Sequence, residues 1–235
     1  VSQPITINDQ LNSIVGKAKI GLKWIWNRSG PLAIGINMGG MFCRVIPQES
    51  KTPDTQFHFA TLSADHAAGN VHPFSGCTYS VCQLRPESRG TLRLRSADPF
   101  DRLAIHSNYL SSETDKRFAV AAVKFARKVA NSTPMNQYMK REFRPGPDVK
   151  SDDEVLAYCR EYGTTIFHPS GTAKMGPAND SMAVVDAKLR VHGVEGLRVV
   201  DCSIMPTLIS GNTNIPTVMI AERAADFILD TARRS

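Results

Sequence analysis

Between residues 56 and 130 the spacing of apolar residues changes once, and that change narrows the class of fold open to the chain. From 56 to 110, "QFHFATLS", "CTYSVCQL", "GTLRLRS" and "LAIHSNYL" alternate or run apolar over strand lengths, with Pro, Gly, Ser and Asp clusters between them. This predicts an antiparallel sheet of at least four strands. From 114 onward, Phe118, Ala121, Ala122, Phe125 and Val129 recur at three- and four-residue steps, with Lys and Arg on the other face. That is the pattern of an amphipathic helix packing on the sheet. The order of sheet, helices, short strands and a closing helix gives an α+β chain.

The remaining elements follow from the same signals. Residues 11–26 carry apolar residues at helical spacing and stop at "NRSGPLA", where Gly30 and Pro31 break the element. In "SDDEVLAYCREYG", Ser151 and Glu154 have capping-box spacing, further acids favour the helix start, and Gly163 suits its end. After 184 come short β-rich runs interrupted by Gly193 and Gly196. The last segment, "NIPTVMIAERAADFILDTARR", is a helix whose apolar face is expected to include Val218, Ala221, Ala225 and Ile228.

At 235 residues and 42% hydrophobic content the chain can bury a sizeable core. Its 28 basic and 22 acidic residues leave a net charge of +6, but the charges are interspersed, and no basic stripe with interleaved aromatics suggests nucleic acid. The five cysteines are odd in number and lack CxxC spacing, so they are expected to be reduced thiols. There is no apolar run of transmembrane length, and "VSQPITINDQ" lacks the features of a signal peptide, which makes a cytoplasmic protein the expectation. His58, Asp65, His66 and His72 lie close in sequence but not at a helical metal spacing, and no metal site is expected.

Three stretches can carry chemistry. In "FHPSGTAKMGP", residues 167–177, His168 stands between Phe167 and Pro169, which are expected to hold the imidazole rigid and dry; a neutral imidazole near pH 7 acts as a base. The alternative is a buried histidine satisfied by a backbone carbonyl. Gly171 permits either a ligand or another backbone to come close. In "SGNTNIPT", residues 210–217, amides at a helix N-terminus can bind an anion or the electron-rich edge of a ring, and Asn212 or Asn214 can donate as well; simple capping is the other reading. In "LRVVDCSIMP", residues 197–206, a β-rich run ends at Asp201, either at a ligand or at an ordinary turn. There is no GxGxxG, Walker loop or GxSxG elbow in the chain.

"CQLRPESRGTLRLRSADP" at 82–99, "HPSGTAKMG" at 168–176, "VVDAKLRVHGVEGLRVVDCSIMP" at 184–206 and "NTNIPTVMIAERAAD" at 212–226 together resemble the glucose-methanol-choline (GMC) flavoprotein oxidoreductases. The motifs occur in that family's order and cover most of the chain. The family's N-terminal Rossmann unit, which grips the ADP part of FAD, is absent, so the chain looks like the C-terminal portion of an enzyme roughly twice its length. The resemblance implies three spans. Residues 1–40 connect the FAD and substrate parts, 41–160 form an antiparallel-sheet substrate-binding domain, and 161–235 supply the C-terminal part of an FAD-binding α/β domain.

The same resemblance implies FAD as cofactor, a small alcohol as substrate and the missing N-terminal FAD-binding portion as partner. A primary alcohol would be oxidised to an aldehyde by hydride transfer to flavin N5, with His168 as base and Asn214 as its partner across the substrate oxygen. Asp201, Cys202, Asn214, Ile215, Pro216 and Thr217 would face the isoalloxazine and ribityl part of FAD. Two other readings stay open: an FAD-containing lyase of the same fold, like a hydroxynitrile lyase, and a non-catalytic assembly module when the chain is alone.

Overall fold

The chain passes three times between two units. Val1–Gln83 packs with Thr114–Gly163, and Leu84–Glu113 packs with Thr164–Ser235. The computed structural model describes residues 1–65 and 69–233, so His66 lies outside the described residues.

The first unit is built on strands β1 (Gly39–Cys43), β2 (Thr55–Ala60) and β3 (Thr78–Gln83), antiparallel with β2 in the centre. Phe57 is paired with Met41 on one side and Val81 on the other. As the central strand, β2 is the most deeply buried, and Phe57 is 4% exposed. Helix α3 (Glu113–Ala130) lies on this sheet: Phe125 meets Phe57 with ring centroids 5.5 Å apart, and Phe118 and Ala122 are buried, as the periodicity predicts. Helix α4 (Asp152–Tyr162) starts with the predicted capping box, Ser151 N–H donating to Glu154 Oε2 at 2.8 Å and Glu154 N–H to Ser151 Oγ at 3.3 Å. It ends at Gly163, where any Cβ would lie 2.3 Å from the Cys159 carbonyl oxygen.

Two short helices, α1 (Ile7–Leu11) and α2 (Ile14–Asn27), precede the sheet. Buried Asn8 ties α1 to the loop after β2, donating to the carbonyls of Ser63 and His72 at 2.9 and 3.0 Å and accepting from Ser63 N–H at 2.9 Å. His72 is itself engaged through Ser63 Oγ at 2.6 Å and Asp65 at 3.1 Å.

Among the described residues the expected sheet of four or more strands is two separate sheets. The runs at 91 and 104 form strands β4 (Thr91–Arg93) and β5 (Ala104–His106), which pair only with each other, within the second unit. The chain leaves the first unit at Gln83, so the runs before and after that point have different neighbours. The third strand of the larger sheet is β1, whose Gly39 and Gly40 carry no β-propensity to reveal it.

The second unit has its core at Val185, Leu189, Ile204, Met205, Ile220 and Ala224. The last two lie on helix α5 (Asn214–Ala232). The predicted face of α5 is corrected here. Val218 and Ile228 are each 51% exposed, and the buried stripe runs through Ile220 and Ala224, with Phe227 packed against it. The stripe is displaced by one residue, about 100° around the helix. α5 is apolar on both sides, so period alone cannot choose between them.

Candidate functional site

Residues 168–175 owe their path to residues 202–204. Gly171 N–H donates to the Cys202 carbonyl at 3.4 Å, Ala173 N–H to that of Ser203 at 3.0 Å and Met175 N–H to that of Ile204 at 2.8 Å. Gly171 has φ +84, and a Cβ there would lie 3.3 Å from the Met205 carbonyl oxygen. The close approach that Gly171 permits is therefore made by backbone. Residues 202–204 form one turn of 3₁₀ helix, capped by Asp201, whose Oδ1 accepts from Ser203 N–H at 2.7 Å. The Cys202 thiol donates to the Pro169 carbonyl at 3.2 Å. Ile204 and Met205 anchor the turn in the core at 3% and 5% exposure.

This frame delivers His168 to the start of α5. Thr213 Oγ1 lies 2.8 Å from His168 Nδ1, and Asn212 Nδ2 lies 2.8 Å from Nε2. An amide nitrogen can only donate, so Nε2 presents its lone pair to Asn212, and Nδ1 carries the proton and donates it to the threonine hydroxyl. The ring is gripped at both nitrogens by side chains, and neither partner is a backbone carbonyl. Phe167 is 73% exposed, so the two hydrogen bonds, not the flanking aromatic ring, fix the imidazole within this chain.

Thr213 is the residue that sequence reasoning missed. It precedes α5 at the N-cap position, where a threonine hydroxyl ordinarily caps the helix, but it makes no side-chain cap. Its hydroxyl turns to His168 instead, and its carbonyl accepts from Thr217 N–H at 2.9 Å and Thr217 Oγ1 at 2.7 Å. Thr213 is 6% exposed, which makes it a firm support. A threonine ahead of a helix with an asparagine on each side was the available signal.

Asn214 opens the helix on its exposed side, followed by Ile215 at 75% exposure. The first-turn amides of a helix have no intrahelical acceptor, so those of Asn214 and Ile215 point outward; Pro216 has none, and that of Thr217 is used by Thr213. Two outward amides and the positive end of a helix dipole directly follow Thr213, the residue that holds the imidazole. Arg85 donates to Ser210 Oγ at 3.0 Å, just upstream, and Arg89 holds the Pro86 and Ser88 carbonyls at 2.8 and 3.1 Å, both structural contacts.

The sequence profile of the GMC oxidoreductases matches residues 86–221, which include every residue of this site. The chain belongs to the GMC oxidoreductase family. This GMC chain is 40% identical over 227 residues to the oxygen-dependent choline dehydrogenase of Staphylococcus aureus strain JH9, covering 96% of itself and 40% of that enzyme. It thus spans about 40% of the length of the curated relatives it matches. Among solved structures it resembles pyridoxine 4-oxidase from Mesorbium loti at 27% identity and TM-score 0.71, over 84% of this chain and 38% of that one. An FAD-dependent oxidoreductase from Chaetomium thermophilum shares the fold at TM-score 0.83 and 21% identity, over 99% of this chain and 46% of that one. No helix among the described residues of the GMC chain is long and apolar enough to cross a membrane.

Proposed function

We propose that the chain is the C-terminal part of an FAD-dependent oxidoreductase that converts a primary alcohol to an aldehyde, with His168 as the base. The observation that carries this reading is the doubly held imidazole beside the open N-terminus of α5. Residues 41–160 serve substrate binding, 161–235 complete the FAD-binding domain and 1–40 connect the two. These spans are assigned by role; the packing units run differently and take residues 84–113 with the C-terminal segment. Five cysteines left as free thiols support a reducing, cytoplasmic setting.

The residues present fit the flavin end of FAD. The outward amides of Asn214 and Ile215 and the helix dipole suit an electron-rich ring edge, and Asp201, Cys202, Pro216 and Thr217 border the same region. The chain has no glycine-rich phosphate loop, so the dinucleotide end falls to the missing N-terminal portion. When bound, FAD supplies the acceptor for the hydride that leaves the alcohol carbon.

This chain's own side chains handle the proton. The Nε2 lone pair of His168 takes it from the alcohol hydroxyl, exchanging the Asn212 contact for the substrate. Thr213 holds the ring through Nδ1 and leaves the Nε2 edge to the substrate. As charge develops on the alcohol oxygen, the Asn214 side-chain amide donates to it without competing for the proton.

The test is His168→Ala in the complete enzyme, read as the rate of flavin reduction by an alcohol in the absence of oxygen. Loss of a positioned base costs on the order of 10² to 10⁴ in rate, with FAD retained. A loss below about tenfold would place the base elsewhere.

A further inference from the structure

A second chain of hydroxyl, imidazole and carboxylate lies in the loop that joins β2 to β3. Ser63 Oγ is 2.6 Å from His72 Nδ1, and His72 Nε2 is 3.1 Å from Asp65 Oδ1. The same carboxylate oxygen is 2.7 Å from Arg144 Nη2. Ser63 is 8% exposed, so this trio is not set out for attack on a substrate; it joins segments. The His72 ring stacks on Phe74 and meets Phe143 edge-on, both with centroids 4.9 Å apart. Arg144 lies over the rings of Phe143 and of Tyr162, the last residue of α4. The His72 carbonyl accepts from Asn8 of α1 at 3.0 Å and from Asn12, just after that helix, at 2.8 Å. One residue thus ties together α1, the loop and the 143–144 segment, and its side chain is 11% exposed.

These contacts suit one protonation state of the ring better than the other. A carboxylate only accepts, so Nε2 carries a proton in both. With the ring neutral, Nδ1 accepts from the Ser63 hydroxyl, and Asp65 accepts from Nε2–H and from Arg144. A second proton on the ring goes to Nδ1. Ser63 Oγ must then accept, and its own hydrogen turns away from Nδ1 in a buried position, where a hydroxyl without an acceptor costs free energy. The added positive charge also stands beside Arg144, against a carboxylate oxygen that the guanidinium already holds. The other charged groups on these elements are engaged elsewhere: Asp9 of α1 with Thr6 and Ser75, Glu142 with Arg127, and the Val1 ammonium with the Ser75 carbonyl. Tyr162 stacks on Tyr158.

We propose that His72 is a pH-sensitive clamp. Neutral, it binds the loop between β2 and β3 to the 143–144 segment; on taking up a second proton it competes with Arg144 for Asp65, and that link loosens. Imidazoles make this change between about pH 8 and about pH 5. The inference is independent of the catalytic reading, because none of its residues belongs to the His168 site.

The experiment is amide hydrogen exchange of the complete polypeptide, read by mass spectrometry at about pH 8 and about pH 5 and corrected for the chemical exchange rate at each pH. The amides of Ser63 and His72 donate to Asn8 Oδ1 and to the Ser63 carbonyl, each at 2.9 Å, and report on the loop. Peptides containing them, and peptides containing Phe143 and Arg144, should open about tenfold more often at the lower pH, while peptides from α3 keep their rate. In His72→Gln the side chain can still donate to Asp65 and accept from Ser63 but cannot titrate, so exchange should be the same at both pH values. Asp65→Asn, at a side chain that is 51% exposed, removes the carboxylate for which the two cations compete and should leave the Arg144 peptides equally open at both. Wild-type exchange that does not change with pH would overturn the proposal. So would a wild-type pH response that persists in His72→Gln or in Asp65→Asn.

Discussion

Thr213→Val tests whether the threonine positions the base or belongs to the chemistry. Valine keeps the β-branched shape at a site that is 6% exposed and removes only the hydroxyl that lies 2.8 Å from His168 Nδ1. A hydrogen bond of this kind contributes about 0.5–1.5 kcal/mol net. If that energy selects the tautomer and ring orientation with Nε2 available, its loss should slow flavin reduction by about two- to twelvefold, since 1.36 kcal/mol is tenfold in rate. The backbone of Thr213 still accepts from Thr217 N–H, so α5 keeps its first turn. The assay is single-turnover, oxygen-free flavin reduction in the complete enzyme, compared with His168→Ala. A Thr213→Val loss of a hundredfold or more with FAD bound would refute a purely positioning role. An unchanged rate would show that the Thr213 hydroxyl does not set the reactive orientation of the ring.

Three further outcomes follow from the packing. Gly171→Ala places a side chain at φ +84, with its Cβ 3.3 Å from the Met205 carbonyl oxygen, and should cost about 1–2 kcal/mol in a denaturant titration; no change would mean the loop takes another path. Burial pushes the Asp9 carboxyl up, but hydrogen bonds from Ser75 and Thr6 outweigh it and hold the pKa below 3.8. The resulting stability is present above pH 3.8 and is lost as pH falls through the folded value, so the advantage of wild type over Asp9→Asn should shrink there in acid-unfolding curves. Burial also pushes the thiols of Cys77, Cys82 and Cys159 up, so these three should react slowly with a thiol reagent in native protein, and all five cysteines of this chain should titrate in denaturant; persistent disulfides would contradict this.

What could be read from the sequence depended on whether a signal was local. Helices α3 and α4 follow from caps and a one-sided apolar stripe, and both form over nearly the predicted residues. α5 was legible as a helix, but its buried face was not, because Ile220 and Ala224 are distinguished from Ala221 and Ala225 only by Val185, Ile204 and Met205 packing on them from elsewhere in the chain. The partners of each strand were equally non-local: the chain changes units at Gln83, and nothing in "LRPESRG" marks that crossing as different from a hairpin turn. His168 stood out through its rigid neighbours, whereas Thr213 was hidden because a threonine before a helix already has an ordinary use.

The stitching of residues 171–175 onto 202–204 makes the length of that loop a constraint in its own right. Donors at alternate positions, Gly171, Ala173 and Met175, meet consecutive carbonyls of a 3₁₀ turn. Deleting or inserting one residue between His168 and Gly171 would invert that alternation, or else carry the imidazole about 3.3 Å along the chain, away from Thr213 and Asn212. Within the interval, Pro169 and Ser170 can change identity at modest cost, but the number of residues cannot. A lineage drifting under selection for this site would accumulate substitutions there and no changes in length, and a library built to redesign the pocket should respect the same count.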